Sequence, residues 1–170
     1  ELIVSARRAE RPEWNANETN LYAVSVPDGG LRALTDRFGP DGNPAVSPDG
    51  KLIAFTGFDD RKQGYQNTLL YLMNRDGSGK RVWSGQIDQS VGAPVWAADG
   101  RGVYLAFDER GNTKVALVSL DGSSSIVAAS LGSGGSAYSG GSFSVARDGA
   151  VAFTRSTPSA PSEVGVARPG

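Results

Sequence analysis

The sequence contains no cysteine and no histidine. Without cysteine there are no disulfides and no thiolate metal sites, and the redox compartment stays open. The missing histidine excludes more. No Ser-His-Asp triad, Cys-His pair or His-ligated metal centre can be built from this chain alone. A G-x-S-x-G nucleophile elbow is also absent. So is an excess of charge: Lys plus Arg is 17, Asp plus Glu is 18, and the net charge of −1 gives no electrostatic reason to expect nucleic acid or a membrane as partner. No apolar run reaches the roughly 20 residues of a membrane-spanning helix. The opening "ELIVSARRAE" has no initiator Met and no signal-peptide pattern. It reads as the start of a strand, so the chain is expected to be cut from something longer.

Glycine is abundant, at 23 of 170 residues, with nine prolines. Much of it is periodic. "SPDGKLIAF" (47–55) recurs as "AADGRGVYLAF" (97–107) and "ARDGAVAF" (146–153), with Gly50, Gly100 and Gly149 at intervals of 50 and 49. A second turn interleaves: "VPDGG" (26–30), "NRDGSG" (74–79), "SLDGSS" (119–124) and "ARPG" (167–170), with Gly29, Gly77, Gly122 and Gly170 at intervals of 48, 45 and 48. Two different turns locked to one period point to stacked supersecondary units.

Between the turns lie short apolar segments bounded by Gly, Pro, Asn and Asp, the signature of strands. In "KLIAF" (51–55) both alternating faces are apolar, which suits a sheet packed on both sides. Each period holds four strands. The first is short, as in "PAVSP" (44–48) or "PVWAA" (94–98). The second and third follow, as in "KLIAFTG" (51–57) and "TLLYLMN" (68–74). The fourth is "LRALT" (31–35), "KRVWS" (80–84) or "SSIVA" (124–128). The expected fold is all-β, a partial β-propeller of about 3.5 four-stranded antiparallel blades. As a single propeller fragment over 1–170 it divides into blade I (1–36, incomplete), blade II (43–84), blade III (92–129) and blade IV (140–170, incomplete). The alternative is a β-sandwich with coincidental turns.

The segments "NPAVSPDGKLIAFTG" (43–57), "LLYLMNRDGSGKRVW" (69–83) and "GAPVWAADGRGVYLAFDERGNTKVALVSLDG" (92–122) resemble the WD-like repeats of the Tol-system periplasmic propeller and of prolyl oligopeptidase-family propellers. The longer text, with "GGSFSVARDGAVAFTRSTPSAPSEV" (140–164), is similar to the propellers of acylaminoacyl-peptidase and dipeptidyl-peptidase-like serine peptidases. The resemblance implies a non-catalytic propeller that caps an α/β-hydrolase domain of the same parent chain and filters peptide substrates. Nothing here matches that hydrolase domain, so no catalytic residue is carried over. The other reading is a periplasmic protein-interaction propeller of the Tol type.

In an up-and-down blade both Asp-Gly turns fall at one end. The irregular segments 7–19, 36–42, 58–67, 85–92 and 131–141 fall at the other, the better functional face. Within "FDDRKQGYQ", Asp59, Asp60, Arg61, Tyr65 and Gln66 could meet the termini or backbone of a peptide; the same loop also reads as solvated and salt-bridged to its neighbours. "DERGN" (108–112) reads as a charged hairpin from which Asp108 or Arg110 could reach a cleft. Arg7, Arg8 and Arg11 beside Trp14 fit cation–π stacking as well as ligand contact. Trp83 and Trp96 are expected in the core.

The Gly/Ser tract 132–142 lacks the Gly-Lys-Ser/Thr ending of a phosphate loop. The acidic pairs Asp59-Asp60 and Asp108-Glu109 lack calcium-loop spacing. No cofactor and no metal is therefore expected. Residues 1–6 read as a second strand and 163–168 as a third, so blade edges are expected to be open and to permit self-association.

Overall fold

The computed structural model describes residues 1–8, 10–84, 86–132, 140–157 and 159–168. Among the described residues the helices and strands are all strands, fourteen of them in four antiparallel sheets. The chain divides into two compact units, Glu1–Ser84 and Gly85–Gly170.

The first unit holds two sheets. One is β1 (Leu2–Ala6), β2 (Asn20–Val24) and β3 (Leu31–Ala33). The other is β4 (Gly42–Val46), β5 (Leu52–Gly57), β6 (Leu69–Asn74) and β7 (Arg81–Val82). In the second unit, one sheet is β8 (Val95–Trp96), β9 (Gly102–Glu109), β10 (Asn112–Ser119) and β11 (Ser124–Leu131). Its companion is β12 (Phe143–Val145), β13 (Val151–Thr157) and β14 (Ala160–Ala167). Every strand pairs with its neighbours in sequence, so each sheet is a simple meander. The chain is a partial β-propeller and the sheets are its blades.

One local device makes the turns. In all six described Asp-Gly turns the Asp Oδ1 accepts the backbone N–H two residues on: Asp28 from Gly30, Asp49 from Lys51, Asp76 from Ser78, Asp99 from Arg101, Asp121 from Ser123 and Asp148 from Ala150. The glycine between supplies the left-handed backbone this Asx geometry needs, with φ of +75° at Gly50 and +71° at Gly100. Strand order puts both turns of a sheet at one end and the β5–β6 loop at the other.

The outer strands are shorter than the sequence suggests, for a physical reason. Past β3, the Leu21 N–H bonds to the Thr35 hydroxyl at 2.9 Å; past β7, the Leu70 N–H bonds to the Ser84 hydroxyl at 3.2 Å. Buried side-chain hydroxyls replace backbone carbonyls, so the ladder is satisfied while the strand peels away.

The core lies between the sheets of each unit. In the first, Leu21, Ile53, Phe55 and Met73 are wholly buried and Tyr71 stacks on Phe55 with centroids 5.2 Å apart. In the second, Val115 and Val151 are wholly buried beside Tyr104 and Leu131. Burial of each such side chain contributes about 1.5–3 kcal/mol. Of the two apolar faces read in residues 51–55, Ile53 and Phe55 belong to this core, and Ala54, on the opposite face of the strand, is also inaccessible. Trp83 is buried just beyond β7, and Trp96 is half-buried in β8. Most of the Gly/Ser tract 132–142 lies outside the described residues, as do Ala9 in the 7–19 segment, Gly85 of the 85–92 segment and Gly170 of the turn series.

Candidate functional site

At the irregular-loop end of the first unit, one buried ion pair positions everything else. Arg37 lies between β3 and β4, and Asp41 immediately precedes β4. The Asp41 side chain is 0% exposed and that of Arg37 only 9%. Arg37 Nε donates to Asp41 Oδ1 at 2.7 Å, and its Nη2 donates to the same oxygen. Nη1 reaches out to Asp59 Oδ1 at 3.2 Å. The guanidinium lies over the Tyr71 ring, 4.1 Å from the centroid. Burial acts against the charge on Arg37, but the bonds and charge of Asp41 outweigh it and hold its pKa above the ordinary value.

Gly57 permits this closeness. A Cβ there would stand 2.4 Å from Arg37 Nη2, 2.7 Å from Asp41 Oδ1 and 2.3 Å from the Pro40 carbonyl. The Asp41 backbone binds β1 and the start of β2: its carbonyl accepts from the Ser5 hydroxyl at 2.6 Å and the Thr19 hydroxyl at 3.2 Å. Its N–H donates to the Thr19 carbonyl at 2.9 Å. Arg37 is therefore neutralised by two carboxylates and braces the loop.

The loop 58–67 is folded onto this brace. Gln66 accepts from the Arg61 N–H through Oε1 at 2.8 Å and donates through Nε2 to the Asp59 carbonyl at 2.7 Å. Asp60 accepts from Asn17 Nδ2 at 3.1 Å and from the Lys62 N–H at 2.7 Å. Lys62 lies over the Phe38 ring at 5.5 Å. Of the five residues singled out here from sequence, Asp59, Asp60 and Gln66 shape the loop, while Tyr65 (75% exposed) and Arg61 face solvent. The neighbouring 7–19 segment adds Trp14, also exposed, with Arg11 stacked on it at 5.3 Å.

Arg110 belongs to the second unit. With Gly111 it forms the two-residue tip of the β9–β10 hairpin, both with positive φ (51° and 78°), as a type I′ turn requires. The base is tied by the Lys114–Glu109 ion pair and by the Thr113 hydroxyl donating to Asp108. The hydrogen bond from Lys114, then its charge, holds the Glu109 carboxyl below its usual range.

Sequence reading missed Arg37, Asp41 and Gly57. The only signal available was an Arg and an Asp four residues apart in a loop, which is common. Chemically the ledge offers an aromatic ring, a cation and amides, and no nucleophile paired with a base.

The four sheets and this ledge are those of a β-propeller. Over residues 21–156 the chain matches the family described as the lipoprotein LpqB β-propeller domain (Gmad1), and it belongs to that family. Among solved structures it is similar to TolB from Acinetobacter baumannii, at 18% identity and TM-score 0.63, over 87% of this chain and 35% of that one. A putative TolB from Agrobacterium tumefaciens matches at 22% identity and TM-score 0.64, over 88% and 52%. The β-propeller domain of the trilobed protease from Pyrococcus furiosus matches at 19% identity and TM-score 0.61, over 88% and 43%. The chain thus spans between about a third and a half of the length of these structures. No curated protein matches it.

Proposed function

We propose that this chain is the interaction part of a lipoprotein-type propeller, docking a protein partner on the ledge formed by residues 58–67. The observation that supports this most is membership of the lipoprotein LpqB β-propeller family across residues 21–156. The loop geometry agrees with it: Gln66 and the Arg37 brace hold Tyr65 and Arg61 outward from a rigid sheet. Exposed Tyr and Arg are the residue types that anchor interfaces.

The second reading is a propeller that caps a serine peptidase domain supplied by the rest of a parent chain. The likeness to the trilobed protease propeller supports it at the level of the fold. Two measurements on the parent protein in cell extract separate the readings. With Tyr65→Ala and Arg61→Ala combined, the docking reading predicts a shift to lower mass on size exclusion; an unchanged mass contradicts it. Labelling of the parent by a fluorophosphonate would establish the peptidase reading instead.

A further inference from the structure

The second unit contains a cleft of about 350 Å³ at its Asp-Gly-turn end, between the β8–β11 sheet and the β12–β14 sheet. Its lining is mixed, with Leu117 and the Tyr104 ring beside charged side chains. Leu117 Cδ1 lies 2.9 Å from where a Cβ on Gly102 would begin, so the leucine covers bare backbone. The Tyr104 ring is buried and its hydroxyl sits 3.4 Å from the Gly149 carbonyl. Arg101 enters from one sheet and Arg147 from the other.

Two arginines line this one cleft, and among the described residues neither has a carboxylate partner. In the first unit, the turn end holds Glu1 between Arg32 and Arg75, at 3.5 and 3.2 Å. In the second, Asp148 pairs with Arg168 at 3.7 Å. Among the described residues neither Arg101 nor Arg147 makes an ion pair. The carboxylates on the rim are already engaged in their own turns, Asp99 with the Arg101 N–H and Asp148 with the Ala150 N–H.

The geometry points to a binding site in this cleft for a small organic anion of single charge: a carboxylate between Arg101 and Arg147, with a short apolar tail on Leu117. The two guanidinium forks supply donors suited to a carboxylate. Leu117 in the lining offers contact to an apolar tail that inorganic phosphate lacks, which favours a tailed carboxylate over phosphate. The proposal concerns the turn end of the second unit and is independent of the docking ledge.

The test is amide NMR of the full chain titrated with 4-methylpentanoate, with 4-methylpentanamide and inorganic phosphate as controls. The carboxylate should shift the Gly102, Tyr104 and Gly149 amides with a millimolar or tighter dissociation constant. The neutral amide and phosphate should bind at least about tenfold more weakly. Arg101→Gln and Arg147→Gln, both at exposed positions, should each weaken the carboxylate about tenfold, the loss expected for one charge-assisted hydrogen bond. No shift at those amides, equal binding of phosphate or the amide, or indifference to both arginine changes would overturn the proposal.

Discussion

Arg37 shows how a single side chain can organise a loop that never appears in its own sequence neighbourhood. It is buried against a wholly buried carboxylate, and Asp41 Oδ2 already lacks a hydrogen-bond partner among the described residues. Removing the cation leaves that charge uncompensated, so Arg37→Met should cost about 3–5 kcal/mol in urea unfolding. Asp59 holds the same arginine from a solvent-exposed position, and Asp59→Ala should cost about 1 kcal/mol or less. Equal losses would mean that the buried half of the pair is not what matters. This brace was not legible in the sequence. It depends on Gly57 giving room from a different strand, and no spacing rule links positions 37, 41 and 57. Glycines of the repeat differ in the same hidden way. Gly77 has φ +94° and a Cβ there would stand 2.9 Å from the Leu34 carbonyl, whereas at Gly122 (φ +88°) nothing lies within 4 Å. Gly122→Ala should therefore cost only the left-handed backbone strain, about 1–2 kcal/mol. Gly77→Ala should cost clearly more in the same thermal or urea assay, and equal values would contradict the contact.

At the scale of elements, the turns were readable because each is made locally, by an Asp side chain and a glycine two residues of chain apart at most. That locality also sets their pH response. In the turns at Asp76 and Asp121, the Ser78 and Ser123 hydroxyls first, then the same residues' N–H groups, hold the carboxyl below the usual 3.8. The native pKa is depressed, so the stabilisation is complete above 3.8 and is lost as pH falls through the lowered value. Ser123→Ala should raise the Asp121 carboxyl midpoint in a ¹³C NMR titration and leave that of Asp76 in place. A fixed Asp121 midpoint would show that the hydroxyl is not the cause. Strand ends were read less well than strands. The apolar segments 31–35 and 80–84 continue past the ladder, and Thr35 and Ser84 complete the hydrogen bonding with hydroxyls, a tertiary contact that hydrophobicity does not encode. The cleft beside Arg101 was invisible for a similar reason: its walls come from two sheets about one repeat apart.

For the whole molecule, the period of 45–50 residues was sufficient to anticipate an all-β partial propeller, because each repeat must bury both faces against a neighbour. Function was less legible. The residues that read as a site from composition turned out to be of two kinds, with Asp59, Asp60 and Gln66 engaged through their side chains or carbonyls in holding the loop and the side chains of Arg61 and Tyr65 exposed. Family membership establishes the propeller, and docking on the ledge is the proposal built on it. The central claim is that the loop end, and not the turn end, meets the partner. Tyr65 and Lys80 lie at opposite ends of the same sheet, both exposed. A photoreactive residue placed at each, in the intact parent protein within its own cell, tests the claim directly. The account predicts one discrete cross-linked species from position 65, abolished by Arg61→Ala, and none from position 80. A discrete adduct from position 80 with none from position 65 would contradict it.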